Sequence, residues 1–319
     1  MSQFDEIDLN KLKTSSISTR KSKVDVGSFA SPLKPGKRLL DLLDSMPRIY
    51  AGNDIRTVVS RIAEAAKSGK PVILAMGGHV VKCGLGPVIG DLISRGIVTT
   101  VAMNGAAAIH DAEIALFGHT SEDVYPGLQD GSFGMTIETA DFMNQAAANA
   151  AAQGIGLGEA IGNAIVAADA THQSSSILAA ASKASIPVTV HVALGTDIVH
   201  MHPSADGAAW GESTMRDFRI LAAAISWLSG GVLLNVGSAV VLPEIILKAF
   251  AIAKNQGMDL GDFLSVNLDF LRQYRSNEQI VARASAVGGT GVSITGHHEI
   301  LIPLIAGCVI ETLEQGGSR

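Results

Sequence analysis

Apolar runs of strand length alternate with helical stretches along most of the chain, and this alternation limits the folds open to it. A strand in a parallel sheet that is covered on both faces is continuously apolar. Six runs fit this pattern, at residues 71–76, 97–103, 186–194, 232–236, 263–268 and 292–295. Because helical stretches separate them, the sequence predicts a doubly wound α/β fold of the Rossmann type, with a mainly parallel sheet and helices on both faces.

Helices are predicted between these strands from apolar periodicity and from their end signals. Asp54 is the predicted N-cap of the helix over residues 55–67. Further helices are predicted at residues 39–46, 85–94, 106–117, 136–152, 157–182 with a break near His172, 214–228, 243–255 and 299–313. Residues 1–37 are polar and rich in serine and lysine, which predicts an arm outside a single domain of residues 38–319.

Composition narrows the classes of function. The net charge is −6 and no basic cluster is large, which argues against nucleic-acid binding. Two cysteines, Cys83 and Cys308, are too few for a disulfide framework, and no signal peptide is evident, so we expect a cytoplasmic protein. Asn235 and Pro243 interrupt the most apolar region, residues 220–253, which favours a buried helix–strand–helix over a membrane span.

Polar residues follow the strands at their carboxyl ends, where ligands bind in sheets of this kind. After the first strand, glycines that include Gly78 and Gly84 would let a phosphate approach the backbone at the next helix. The spacing of Gly84, Gly86 and Gly90 misses the dinucleotide fingerprint by one residue, so a plain strand–helix turn is the alternative. Cys83 beside Lys82 could have a lowered pKa, or it could be inert packing.

The second strand ends at Asn104 and Gly105, and His110, Asp111 and Glu113 follow in the next helix. A carboxylate near a helix start favours the helix dipole, which is one account of Asp111. Contact with a ribose or an amine is the other account.

Histidines gather after the third and the last predicted strands, at His191, His200, His202, His297 and His298. His200 and His202 flank one residue, a spacing that can ligate zinc from an extended segment. General acid–base or hydrogen-bonding roles are a second interpretation, and purely structural roles are a third. Asp197 lies in the same loop and could hold an amine cation.

One segment carries a family resemblance. An apolar strand over residues 231–236 runs into the small turn Gly237–Ser238, and a helix opens at Pro243. This segment resembles the strand–turn–helix of deoxyhypusine synthase, an NAD-dependent aminobutyl transferase. Further segments resemble that family in the same order over roughly residues 70–313.

The resemblance implies NAD bound across the strand ends in a homotetramer, with sites at dimer interfaces and a small amine, such as a polyamine, or an amino acid as substrate. Candidate cofactor contacts are Gly78, His79, Gly84, Asn104, Gly105, His110, Asp111, Asn235, Gly237, Ser238, Asn267 and His297, and candidate catalytic residues are Lys82, Asp197, His200, His202 and His298. The position of the family's imine-forming lysine is Leu242 here, and Lys82 is a better substitute than Lys248.

Three functions remain open. The first is an NAD-dependent enzyme that acts on the C–N bond of a small amine or amino acid, by aminoalkyl transfer or related chemistry, without making deoxyhypusine. The second is a metal-assisted hydrolase or lyase, with zinc held by His200, His202, His297 and His298. The third is a non-catalytic oligomeric scaffold.

Overall fold

The computed structural model describes residues 4–316. Its strands are β1 (Val72–Met76), β2 (Thr100–Asn104), β3 (Val188–His191), β4 (Val232–Val236), β5 (Leu264–Asp269) and β6 (Thr290–Thr295). They form a parallel sheet in the order β3-β2-β1-β4-β5-β6. The order reverses between β1 and β4, where a doubly wound sheet opens its ligand crevice. All six predicted strands are therefore confirmed.

The helices of the described residues are α1 (Leu39–Ser45), α2 (Tyr50–Lys67), α3 (Gly78–Lys82), α4 (Gly86–Ser94), α5 (Gly105–Phe117), α6 (Val124–Asp130), α7 (Ile137–Gln153), α8 (Leu157–Ala167), α9 (Ile177–Ala184), α10 (Gly207–Ser226), α11 (Val241–Asn255), α12 (Tyr274–Ser276) and α13 (His298–Gly316). The predicted break near His172 is confirmed, because α8 and α9 are separated by the 3₁₀ turn Gln173–Ser175.

The predicted N-cap Asp54 is wrong. Helix α2 begins five residues earlier than predicted, at Tyr50, and its N-cap is Ile49. The guanidinium of Arg56 donates hydrogen bonds to the carbonyl oxygens of Leu43 (2.5 Å), Met46 (2.6 Å) and Pro47 (2.9 Å). These bonds tie the end of α1 to α2, so a tertiary contact fixes the helix start.

Side chains of β1 alternate between two apolar cores, as the two-residue period of a strand requires. Val72, Leu74 and Met76 pack in one core with α2, α4 and α13, while Ile73 and Ala75 pack in the other with α10 and α11. Helices therefore cover both faces, which leaves the carboxyl edge of the sheet as the place where polar groups can meet.

The segment before α1 lies on the outside of this sandwich. Its short 3₁₀ turns, Leu9–Lys11, Ile17–Thr19 and Val26–Ser28, contain no buried residue. Among the described residues no helix is long and apolar enough to cross a membrane, and the apolar region 220–253 divides into the end of α10, β4 and most of α11.

Candidate functional site

The short helix α3 divides the carboxyl edge of the sheet into two polar regions. Gly78 and Lys82 are one helical turn apart, and so are His79 and Cys83, so the two pairs lie on different sides of the helix. Lys82 lines a cavity next to α5, and a β-carbon at Gly78 would lie 3.0 Å from Cδ2 of His110 in the same cavity wall. His79 and Cys83 lie instead beside His298.

The cavity next to α5 has a volume of about 230 Å³. It lies beyond the ends of β2 and β3, and its wall comprises Lys82, Ala106, Ile109, His110, Glu113, Ser121, Glu122, Val124, Phe133, Thr136, Thr196, Asp197 and Ile198. A larger hollow of about 370 Å³ lies at the opposite, amino end of β3. Of the described residues that line it, Glu159 is the only one with an ionisable side chain. Histidine, lysine and several carboxylates share the cavity next to α5, so we assign the candidate site there.

His110 is oriented by a hydrogen-bonded chain. Its Nδ1 lies 2.7 Å from Oγ1 of Thr120, and the Thr120 hydroxyl donates to Glu113. A hydroxyl has one proton, so Nδ1 must be the donor to Thr120, and Nε2 of a neutral His110 keeps its lone pair. This arrangement of base and orienting carboxylate suits His110 to accept a proton from a ligand.

Burial works to raise the pKa of Glu113, but its hydrogen bonds outweigh burial and lower that pKa. The bonds come from His110, from Thr120 and from the hydroxyl of Thr139, whose Oγ1 lies 2.9 Å from Glu113 Oε1. Glu113 is therefore ionised at neutral pH and keeps His110 in one orientation.

Asp197 lines the same cavity, but its pKa is shifted in the opposite direction to that of Glu113. Burial raises its pKa to about 6, and nearby His110 acts in the opposite direction. Its carboxylate packs against the backbone of Gly105, where α5 begins. The contact is so close that a β-carbon at Gly105 would lie 2.0 Å from Asp197 Oδ2. The cavity thus brings together a histidine, the ionised carboxylate of Glu113 and a carboxyl group whose pKa is raised to about 6. Such a set can hold a small cation and move a proton.

The second polar region lies on the other side of α3, against β5 and β6. His298 is fully buried at the start of α13, its Nε2 faces the Leu268 carbonyl oxygen at 3.3 Å, and its Nδ1 has no hydrogen-bond partner. Cys83 Sγ lies 3.4 Å from His79 Nε2 and 3.5 Å from Glu299 Oε2. Burial is the main cause that lowers the pKa of His298, which keeps this ring neutral.

Several predicted cofactor contacts lie beneath the surface of the switch point. Asn235 donates to Asn267 Oδ1 at 2.8 Å and to the Ser238 carbonyl oxygen at 3.0 Å, and all three residues are buried. The side-chain amides of Asn235 and Asn267 therefore join the ends of β4 and β5. Gly237 has φ +64° and would place a β-carbon 2.7 Å from Cε1 of His298, so a larger residue there would displace that ring.

Three further predicted contacts are more exposed or serve local structure. Asn104 accepts a hydrogen bond from the Ala107 N–H at 2.9 Å and is the N-cap of α5. Gly84 has φ +73° with open space around it, and the His297 side chain is largely exposed.

Asp111 does not take part in the site, which corrects the proposed ribose or amine contact. It is fully buried and accepts hydrogen bonds from the N–H groups of Ile177 (2.8 Å) and Leu178 (3.0 Å) and from Ser176 Oγ (2.5 Å). These are donors at the start of α9, so Asp111 satisfies a helix N-terminus on another element. Burial raises its pKa to about 6.

The loop histidines after β3 are also turned away from the cavity. His200 Nδ1 accepts from the Gly195 N–H at 3.2 Å, and the ring packs edge-on against Trp210 at 4.7 Å. His202 Nε2 lies 2.8 Å from the Gly134 carbonyl oxygen. His191 is buried beside Thr189. Each ring has a local partner at one nitrogen, while Nε2 of His200 is buried without a hydrogen-bond partner. These local contacts favour the structural interpretation of the three residues.

The zinc hypothesis fails in the form proposed from sequence. Within residues 4–316, the histidine, cysteine and acidic side chains that come within ligating range of a common point are His79, Cys83 and His298. Of the four histidines in the hypothesis, His298 alone belongs to this group, and His200 and His202 contact Trp210 and Gly134 instead.

The structure also adds residues that were not among the predicted site residues. Glu113 and Thr120 orient His110, and Glu122 and Thr136 complete the cavity wall. The spacing of His110 and Glu113, three residues apart in a predicted helix, is the one signal that could have paired them. Thr120 and Thr136 come from loop positions that no periodicity marks.

Leu242 is fully buried in the core formed with α10, where Ile246 and Phe250 of its own helix also pack. Its side chain points into the protein and not into the crevice. The position matched to the imine lysine therefore supplies neither an amine nor access to the sheet edge.

Strand order, glycine-rich turns and a polar cavity at the carboxyl edge define a doubly wound α/β protein of the Rossmann type. No protein-family model matches the sequence, and a search of curated proteins finds no match. Solved structures do match, and among them is an LOR/SDH protein from Methanococcus maripaludis S2. Its TM-score is 0.50 at 15% sequence identity, over 88% of this chain and 72% of that chain.

A protein assigned as a deoxyhypusine synthase from Entamoeba histolytica matches with a TM-score of 0.51 at 11% identity, over 89% of this chain and 97% of that chain. AgrE, solved as a complex with ornithine and NAD+, matches with a TM-score of 0.53 at 13% identity, over 85% of this chain but 35% of AgrE. The chain therefore has the deoxyhypusine synthase-like fold, which confirms the resemblance found in the sequence.

Proposed function

We propose that this protein is an NAD-dependent enzyme that acts on the C–N bond of a small amine or amino acid, and that it does not make deoxyhypusine. The observation that carries the proposal is the cavity in which His110, oriented by Thr120 and Glu113, faces the carboxylate of Asp197. The fold neighbour solved with ornithine and NAD+ supports the same class of ligands.

The turns at the switch point suit a dinucleotide. Gly78 and Gly237 are partly exposed and Gly84 is exposed, so backbone there is open to an approaching ligand. A β-carbon at Gly77 would lie 2.2 Å from the Gly237 carbonyl oxygen, so glycine at this position lets the two turns pack backbone to backbone. Gly78, Gly84 and Gly237 would contact the cofactor, which would supply hydride acceptance when bound.

Side chains of the protein would bind the charged groups of the substrate and accept its proton. Asp197 and Glu122 would bind the substrate ammonium group, since carboxylates in a half-buried cavity favour a cation. Nε2 of His110 would take the proton that leaves nitrogen, and Glu113, through Thr120, would stabilise the resulting imidazolium. Lys82 at the mouth of the cavity would bind a carboxylate if the substrate is an amino acid.

The absence of an amine at Leu242 is the reason to exclude deoxyhypusine formation. An imine intermediate needs a lysine within reach of the substrate carbon, and Leu242 is in the apolar core. The proposed chemistry therefore rests on acid–base groups and not on a lysine adduct.

Calorimetric titration of the full chain with NAD+, alone and then with ornithine, arginine or spermidine, tests the proposal. We expect NAD+ to bind and one of the amines to bind more tightly when NAD+ is present. His110→Gln should keep NAD+ binding and lower turnover of that amine by about 100-fold or more. Its matched control is His119→Gln, an exposed histidine outside the cavity.

Three results count against the proposal. No heat from NAD+ in any combination would overturn the cofactor assignment and favour a non-catalytic scaffold. Equal loss of turnover in the His110→Gln and His119→Gln variants would remove His110 from the mechanism. Binding of NAD+ without binding of any amine would refute the substrate class.

We also propose a homotetramer, as the deoxyhypusine synthase resemblance implies. Several large apolar side chains are exposed near the cavity mouth, at Val124, Tyr125, Leu128, Met135 and Ile137. Exposed apolar surface of this kind is typical of an interface between subunits. Light scattering at micromolar concentration should give a mass near four times 33.0 kDa, and a monomer mass would refute the assembly.

A further inference from the structure

A cluster of His79, Cys83 and His298 lies on a different side of α3 from the cavity next to α5. One ligating atom from each residue lies within 4.8 Å of the others. The residues come from two distant parts of the chain, α3 with its C-cap and the start of α13. We propose that this cluster is a binding site for a zinc ion, held by these three side chains; the site is independent of the proposed amine chemistry.

The distances around Cys83 fit this assignment. A tetrahedral zinc ion with a Zn–S bond of about 2.3 Å and Zn–N or Zn–O bonds of about 2.0 Å holds its sulfur about 3.5 Å from each of the other ligand atoms. Sγ of Cys83 lies 3.4 Å from His79 Nε2 and 3.5 Å from Glu299 Oε2. Cys83 and His79 are therefore already spaced as two ligands of one zinc ion are, and the Glu299 carboxylate lies next to the sulfur.

His298 shows the surroundings of a ligating histidine. Its Nε2 faces the Leu268 carbonyl oxygen at 3.3 Å and Asp269 Oδ1 at 3.7 Å, while its Nδ1 is buried without a hydrogen-bond partner. Histidines that ligate metals commonly donate their other N–H to a carbonyl or carboxylate in this way. A zinc ion would give Nδ1 the partner it lacks, which offsets the cost of burying an unpaired polar atom.

Two further groups support the site from outside. Phe270 packs on the rings of both His79 and His298, at centroid distances of 4.9 Å and 5.9 Å, and shields one side from water. The Glu299 carboxylate accepts a hydrogen bond from the Cys83 thiol, and its Oε1 lies 3.7 Å from Nδ1 of His297. A thiolate with imidazoles selects zinc over magnesium or calcium, which prefer oxygen ligands.

Binding is a simple exchange at sulfur. The Cys83 S–H bond breaks, its proton leaves to solvent, and a Zn–S bond forms with the same electron pair. His79 is exposed, so the ion can enter from the solvent side and the site can exchange it.

Cobalt substitution tests the proposal on the full chain after reduction and removal of metal by a chelator. We expect Co²⁺ to give a thiolate-to-metal charge-transfer band that saturates at about one ion per chain, and Zn²⁺ to abolish it. Cys83→Ser should lose the band and bind Zn²⁺ at least about 10-fold more weakly in competition with a chromophoric chelator. Circular dichroism of Cys83→Ser checks that the fold is intact.

Cys308→Ala is the matched control, because Cys308 is a buried thiol far from the cluster in the α1–α13 contact. It should keep the band and the zinc affinity of the wild-type chain. No charge-transfer band in the wild type, or a band that survives Cys83→Ser, would overturn the proposal and leave Cys83 as a hydrogen-bonded thiol. The readout needs neither NAD+ nor an amine, so its failure is distinct from failure of the proposed function.

Discussion

The carboxylate of Asp197 occupies the space that a side chain at Gly105 would take. A β-carbon on Gly105 would lie 2.0 Å from Asp197 Oδ2 and 3.0 Å from Oδ1. The loop after β3 therefore packs against the start of α5, and this contact positions one wall of the cavity next to α5. The glycine predicted as a cofactor contact instead makes room for an acidic side chain.

Gly105→Ala should displace Asp197 and destabilise the protein by about 1–3 kcal/mol, since a packed site cannot absorb an extra methyl group without movement. Denaturant unfolding of the variant measures the loss, and NAD-dependent amine binding should weaken with it. Combining Gly105→Ala with Asp197→Ala should restore much of the stability, because the clash is then removed.

Gly211→Ala is the control for that substitution. Gly211 lies inside α10 with no atom within 4 Å of a built β-carbon, so alanine there should stabilise the helix by about 0.5–1 kcal/mol. Equal effects at Gly105 and Gly211 would contradict the packing role of Asp197.

Leu242→Lys should unfold the protein and should not restore an imine lysine. The side chain is fully buried in an apolar core, so the variant places an unpaired ammonium group there, at a cost of more than about 4 kcal/mol. Thermal unfolding and the soluble yield measure the effect. Val240→Lys, at a half-exposed position two residues earlier, should stay folded; a stable Leu242→Lys variant would show that the side chain can reach solvent.

Borohydride treatment with spermidine and NAD+ should trap no adduct on the wild-type chain, because Leu242 provides no amine. Mass spectrometry of the intact protein is the measurement. If an adduct forms, the expectation is wrong, and Lys82 in the cavity wall becomes the suspect. Lys82→Arg should then abolish the adduct, while Lys248→Arg, whose lysine pairs with Glu244 on the surface of α11, should retain it.

The contribution of Asp217 to stability should fall as pH rises from 5 to 8. Asp217 is fully buried, and burial raises its pKa to about 7, although the N–H groups of Val190 (2.7 Å) and Gly158 (2.9 Å) partly oppose that rise. The folded chain therefore holds a proton that the unfolded chain releases near pH 4. This contribution is complete below pH 4 and is lost as pH passes 7, by about 2–4 kcal/mol.

Asp217→Asn should flatten that dependence, because an amide can accept the same two hydrogen bonds without ionising. Urea unfolding at pH 5 and pH 8 gives the comparison. Asp141→Asn, on the exposed face of α7, serves as the control and should keep the wild-type slope. A wild-type slope in Asp217→Asn would assign the pH dependence to other groups, among which Asp111 shifts in the same direction.

The sequence by itself determined the elements and their class. Continuous apolar runs such as Val72–Met76 form strands that helices cover on both faces, because a side chain in such a sheet meets an apolar neighbour on either side. That local rule identified six strands, most of the helices and the edge at which polar residues gather. The order of similar segments also pointed to the deoxyhypusine synthase-like fold, which the solved structures confirm.

Only the tertiary structure decided which polar residues meet. His110 and Asp197 are far apart in the chain, and the crossover from β2 to β3 brings them to one cavity, whereas His200 turns to Trp210. Asp111, one residue from His110, points the other way to cap α9. Neighbours on a helix diverge by about 100°, so sequence places polar residues at an edge, and packing alone selects those that face a ligand.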